Sequence, residues 1–258
     1  MSLPHPPSGT GVPAAHRDRV FPGWWALLVQ LALAGAAALA YFGVRGLTQS
    51  DLGPAQDNAR RLVEFEVALG LNREAWFQNQ IIASDTLVAL ANWVYIYGHW
   101  PVIAATLVVL FVKVPDRFYL LRNAIFVSGA IGLVIFAFVP VAPPRLGVLE
   151  LADTVTQRSD SYRTLQPPGL INRYAAIPSL HFGFNLLVGV VLWQTTRRPA
   201  VRAFAIASPL AMAFAVVATA NHYVLDVAAG GAVAVIGLVV ARWISARASV
   251  PEWARARG

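Results

Sequence analysis

His222 and Asp226 stand four residues apart in the apolar stretch N-H-Y-V-L-D at Asn221–Asp226. On a helix that spacing puts both side chains on one face. A carboxylate there accepts the hydrogen bond of one imidazole nitrogen, fixes the tautomer and makes the other nitrogen a better nucleophile. Buried structural His–Asp pairs share the spacing, so the pair does not decide by itself. A second piece, Tyr174–Asn185, reads Y-A-A-I-P-S-L-H-F-G-F-N. Pro178 suits the start of a helix, and the unpaired backbone N–H groups after it, Leu180 included, suit an anion. Ser179 adds a hydroxyl and His181 a second imidazole, whose ordinary role would be that of an interfacial histidine facing water. A third piece, F-V-P-V-A-P-P-R-L at Phe138–Leu146, ends an apolar run in stiff prolines and presents Arg145. A guanidinium there either binds phosphate bidentately or snorkels to lipid head groups. Tyr174 and Asn221, at the edges of these pieces, are weaker candidates.

The elements that must position these groups are membrane helices. Of the 258 residues, 57% are hydrophobic and 13% charged, against about 25% charged in a soluble domain. A span needs about 20 apolar residues. Six stretches approach that: Trp24–Val44, Leu87–Val112, Asn123–Val141, Leu180–Thr196, Ala203–Ala220 and Tyr223–Ala241. The expected fold is therefore all-α, a six-transmembrane-helix bundle in one domain over residues 23–245. The Pro- and Gly-rich residues 1–22 read as a disordered cytoplasmic tail, and residues 246–258 as a second cytoplasmic tail. Ala55–Ile82 is too charged to span. It reads as an outer amphipathic helix, lying either on the membrane surface or packed on the bundle.

The net charge of +7 does not point to nucleic acid, because the basic residues sit between apolar runs and suit anionic head groups. With the N-terminus inside, twelve Lys and Arg fall in short inner segments: Arg17, Arg19, Lys113, Arg117, Arg122, Arg197, Arg198, Arg202, Arg242, Arg247, Arg255 and Arg257. Eight fall in longer outer ones. The positive-inside rule then puts both termini in the cytoplasm, and all three chemical pieces on the extracytoplasmic face of a cell membrane. Cysteine is absent. No carboxylate cluster or H-E-x-x-H pattern implies a metal, and no cofactor is expected.

Arg145, P-S-L-H at Pro178–His181 and H-Y-V-L-D at His222–Asp226 resemble, in order, the motifs of the type-2 phosphatidic acid phosphatase superfamily, K-x6-R-P, P-S-G-H and S-R-x5-H-x3-D. The resemblance spans roughly Leu87–Ala241. Ala142-Pro143-Pro144, P-S-L-H and H-Y-V-L-D look closer to its inositolphosphotransferase-like branch, which includes inositol phosphorylceramide synthase. Asn92 and Tyr97-Gly98-His99-Trp100-Pro101 also look typical of bacterial members, without a chemical role that the residues suggest. The resemblance implies a phospho-histidine on His222, oriented by Asp226, with His181 as acid and then base, and Arg145, Ser179 and the Leu180 N–H on the phosphate. It implies a lipid phosphate substrate. The acceptor is water in a phosphatase, or inositol or a sugar in a phosphotransferase; a non-catalytic lipid-binding or transport protein is the other reading. The chain departs from the pattern at Phe138, where the family has lysine, and at Ala215 and Val216, where it has Ser-Arg. Arg163 or Arg173 is expected to supply a missing cation.

Overall fold

The computed structural model describes residues 23–47, 52–146, 148–158 and 174–247. Arg163, Arg173 and both predicted tails but for Ala246 and Arg247 lie outside the described residues. The described residues form α1 (Trp24–Leu47), α2 (Leu52–Ala68), α3 (Glu74–Asn79), α4 (Asp85–Tyr97), α5 (Trp100–Lys113), α6 (Pro115–Phe138), α7 (Thr154–Arg158), α8 (Leu180–Thr195), α9 (Pro199–Ala218) and α10 (Val224–Arg247). A 3-10 turn covers Pro144–Leu146.

Among the described residues α6, α9 and α10 are long and apolar enough to cross a membrane, and α4 with α5, bent by 44° at the break between them, is so when the two are taken as one span. Trp24–Ala40 and α8 are apolar but shorter. The predicted second span is thus broken at Gly98–His99. Pro101 has no N–H to give to the preceding turn and its ring crowds that turn's carbonyl. Large apolar side chains such as Val134, Leu210, Val235 and Val239 point outward, as a bundle solvated by lipid tails requires and a soluble surface does not.

The core lies where α6, α8 and α10 meet, around Leu121, Ala124, Leu187, Val188, Val191 and Ala234. Small residues let these helices approach closely. A Cβ on Gly230 would stand 2.2 Å from the Ser179 carbonyl oxygen, and one on Gly183 would stand 2.7 Å from the Gly230 carbonyl oxygen. The crossing brings the first turn of α8 onto the first turns of α10, and the Ser179 N–H donates to the Asp226 carbonyl at 2.9 Å. Gly230→Ala is expected to force the two helix starts apart, costing about 1–3 kcal/mol by the usual scale of overpacking. A lower melting temperature in detergent, together with lost activity, checks this; an unchanged melting curve would refute it.

The chain ends of these helices sort by side. The C-termini of α6 and α9 and the N-termini of α8 and α10 share one end of the bundle. At the other end, Arg117 and Arg242 both donate to Gln194 at 3.3 Å.

Candidate active site

The end of the bundle that gathers α6, α8, α9 and α10 brings together most of the candidate residues. The 3-10 turn after α6 is tied to the turn before α10 by the Arg145 N–H, which donates to the Ala220 carbonyl at 3.1 Å. The Arg145 Nη1 donates to Asn221 Oδ1 at 2.7 Å, and its Nε lies 3.5 Å from Asp153 Oδ2. Asn221 is held in turn by the Thr219 hydroxyl at 2.8 Å. Asn221 therefore serves to aim Arg145. Asp153 belongs to a loop that Asn92 pins, donating to the Thr154 carbonyl at 2.8 Å; the distance in sequence hid both partners.

His222 is 6% exposed and Asp226 fully buried. The His222 Nδ1 lies 2.7 Å from the Ala176 carbonyl oxygen and 3.4 Å from Asp226 Oδ2. A carbonyl only accepts, so Nδ1 carries the proton and Nε2 keeps its lone pair. The predicted carboxylate partner is present, but the nearer acceptor is a backbone oxygen that spacing gave no sign of. That oxygen is fixed because Tyr174–Ala176 runs beside Val141: the Val141 N–H donates to the Tyr174 carbonyl at 2.7 Å, and the Ala176 N–H to the Val141 carbonyl at 3.2 Å. Tyr174 contributes here through its backbone. Asp226 Oδ2 also caps the Tyr223 N–H at 2.8 Å. The Tyr223 hydroxyl donates to the Ala142 carbonyl at 3.0 Å, so the A-P-P segment and the H-Y-V-L-D segment are joined directly.

Ser179 is the N-cap of α8 and is fully buried; its hydroxyl accepts from the Phe182 N–H at 3.5 Å. The Leu180 side chain sits in the core, against Gly132, leaving its backbone as the part able to meet an anion. The His181 ring centroid is 6.0 Å from that of His222, at 54°, and 4.5 Å from Tyr95 in a stacked contact. Two imidazoles across such a gap, with Arg145 bonded to the neighbour of His222 and two helix N-termini at the same end, can hold a tetrahedral oxyanion and move a proton to either side of it. Phe138 is 81% exposed and Val216 fully buried, so neither apolar replacement leaves a polar group in the site.

Ala55–Ile82 holds a feature that spacing obscured. Gly70, at φ 69°, ends α2 in the left-handed region that glycine alone adopts freely, so the predicted single helix is two. Both pack on the bundle: Asn58 donates to the Pro140 carbonyl at 2.9 Å and Gln56 to the Leu146 carbonyl at 3.0 Å. Glu66 and Glu74 are fully buried, while Phe65 and Leu69 face outward. Glu66 Oε1 accepts from the Leu225 N–H at 2.7 Å, and Glu74 Oε1 from the Val224 N–H at 2.9 Å. With Asp226, three carboxyls take the N–H of Tyr223, just before α10, and the first two N–H groups of the helix itself, groups that have no partner inside the helix and sit at its positive end.

Burial, and then the Glu74 carboxyl beside it, push Glu66 up to about 8 against the lowering pull of the Leu225 N–H. An acid raised in the folded state keeps its proton while the unfolded chain releases it. Folding stability is thus expected to fall as pH rises from about 4.5 to about 8, and to level above that. In Glu66→Gln, which keeps an acceptor for Leu225, that fall should shrink. Melting temperatures of both proteins across this range decide it; parallel curves would refute the assignment.

Among the described residues no group of three His, Cys, Asp or Glu could hold a metal ion. A family model described as the PAP2 superfamily matches residues 60–240. The fold is similar to the crystal structure of LpxE from Aquifex aeolicus, with a TM-score of 0.53 and 16% identity over 67% of this chain and 95% of that one. No curated protein matches the chain.

Proposed function

The chain belongs to the PAP2 superfamily, and from that membership we propose that it is an integral membrane lipid phosphatase acting through a phospho-histidine on His222. The observation that carries the reading is the pair of imidazoles 6.0 Å apart, one of them held through Nδ1 on a carbonyl, which leaves Nε2 as the nitrogen able to react. His222 Nε2 attacks phosphorus. The P–N bond forms as the bond to the leaving oxygen breaks, and His181 gives that oxygen its proton. Water then attacks the phospho-histidine, His181 takes the proton back, the P–N bond breaks and inorganic phosphate leaves. Arg145 and the α8 N-terminus hold the equatorial oxygens, where charge gathers.

Six spans follow if α1 and α8 cross beside α6, α9, α10 and the bent α4–α5 pair. The basic end then faces the cytoplasm and the site lies at the outer surface of the cell membrane. A lipid as substrate is supported by a cleft of about 550 Å³ between α3, α8, α9 and α10, lined by Phe77, Phe182, Leu210, Phe214, Val224 and other apolar residues. Two of its lining residues, Phe182 and Val224, follow His181 and His222 closely in the chain, and its apolar wall suits an acyl or prenyl chain.

Transfer to an alcohol is the second reading. It is favoured by the A-P-P and H-Y-V-L-D segments, which the Tyr223–Ala142 hydrogen bond makes one unit. The test is incubation of the purified protein with phosphatidic acid and polyprenyl phosphates, with and without inositol, followed by mass spectrometry. Free phosphate supports hydrolysis, a new phosphodiester supports transfer, and neither product across the panel would overturn both.

A further inference from the structure

The bend between α4 and α5 carries a histidine that this chemistry leaves unused. A Cβ at Gly98 would stand 2.4 Å from the Val94 carbonyl oxygen and 3.4 Å from the Met212 side chain. The tight turn there delivers His99 into the bundle, where it is 3% exposed. Its ring centroid lies 4.2 Å from that of His181, tilted by 30°, and 5.9 Å from Phe184, nearly parallel at 8°. Trp100 meets it edge-on at 4.9 Å.

This is an aromatic niche, and phenylalanine would fill it. Histidine brings a cost that phenylalanine does not. Its Nδ1 is enclosed and no group among the described residues bonds it; a buried polar atom left unpaired weakens the fold. The described residues offer it no partner, and the groups around it say what kind of ligand would suit it. The ring touches His181, which with His222 frames the position of a phosphoryl group. Arg145, the guanidinium on that rim, already gives N–H groups to Asn221 and Asp153. A phosphate there needs further donors, since several oxygens carry its charge.

We propose that His99 is a third histidine of the phosphate pocket, one of its imidazole N–H groups donating to a phosphoryl oxygen of the substrate. The proposal rests on the phosphoryl-transfer reading of the site, but its test is arranged to stand apart from it. Full-length protein in detergent is titrated with inorganic phosphate and with orthovanadate, and binding is read from the shift in melting temperature. Three proteins are compared: wild type, His99→Phe, which keeps the ring and loses the donor, and His99→Asn, whose side-chain amide restores a donor near Nδ1.

His99→Phe should melt no lower than wild type without ligand, because the unpaired nitrogen is gone. It should bind both anions at least about tenfold more weakly, a loss of about 1.4 kcal/mol. His99→Asn should recover most of that affinity. On a lipid phosphate, His99→Phe should show a higher KM and a lower kcat at unchanged expression. Equal anion affinity in wild type and His99→Phe would overturn the proposal, as would a His99→Asn protein no better than His99→Phe, or a wild type that binds neither anion. Should His99→Phe fail to fold, His99→Leu set against His99→Asn makes the same comparison. A wild type inert on every lipid, yet binding phosphate through His99, would remove the phosphatase reading and leave this one.

Discussion

Replacing His222 with alanine is expected to lower phosphate release by at least about 10⁴-fold, since the covalent step then has no nucleophile and only binding and charge stabilisation remain. The protein should still fold: His222 contributes one side-chain contact to Ala176 and one to Asp226, while the first turn of α10 is held by three carboxyls. Asp226→Asn separates two roles. Because the nearer partner of Nδ1 is the Ala176 carbonyl, the tautomer should survive the change. What is lost is the negative charge beside the imidazole as it becomes cationic. The expected loss is therefore smaller than for His222→Ala, about 10²-fold, while the amide oxygen still accepts from the Tyr223 N–H and keeps that cap. Trapping labelled phosphate on the protein by rapid denaturation in alkali, where a histidine P–N bond survives, tests the nucleophile directly. Label retained by His222→Ala would end the mechanism.

His181→Ala is expected to show a loss that depends on the leaving group. An alkyl oxide cannot depart without a proton, so a lipid phosphate ester should lose about 10²–10⁴-fold, the usual range for a general acid. An aryl phosphate with an acidic phenol leaves unaided and should lose far less in the first step. Turnover of both substrates by wild type and variant decides the matter. An equal loss on the two would move His181 from proton transfer to phosphate binding, where it would act beside His99.

The candidate site was largely legible in the sequence because its motifs sit at helix ends. Proline before a helix, a histidine in its first turn and an acid four residues on from a histidine are local patterns, and local geometry converts them directly into placement. His181, His222, Asp226, Ser179 and Arg145 do converge on one end of the bundle. Partners set by chain crossings were not legible. The Ala176 carbonyl has no side-chain signature. Asp153 and Asn92 reach the site through a loop. Glu66 sits 159 residues from the N–H it caps. The usual rule of apolar inside and polar outside also misleads in α2, where lipid surrounds the bundle and the charge demand lies within it. Phe65 therefore turns outward and Glu66 inward. Hydropathy likewise averages away the bend at Gly98–His99, which divides the predicted second span into two helices.

The carboxyl clamp on α10 has a consequence for how the protein is made. Glu66 and Glu74 leave the ribosome long before Val224 and Leu225 do. Until α10 inserts, both acids lack the N–H groups that hold them, and the A-P-P carbonyl lacks the Tyr223 hydroxyl. His222, Asp226 and the donors to the clamp all arrive together at the start of that helix. A chain arrested before residue 222 would lack α10 and, with it, both members of the His–Asp pair. Assembly of the site thus waits for α10, and a nascent chain without it holds an incomplete pocket.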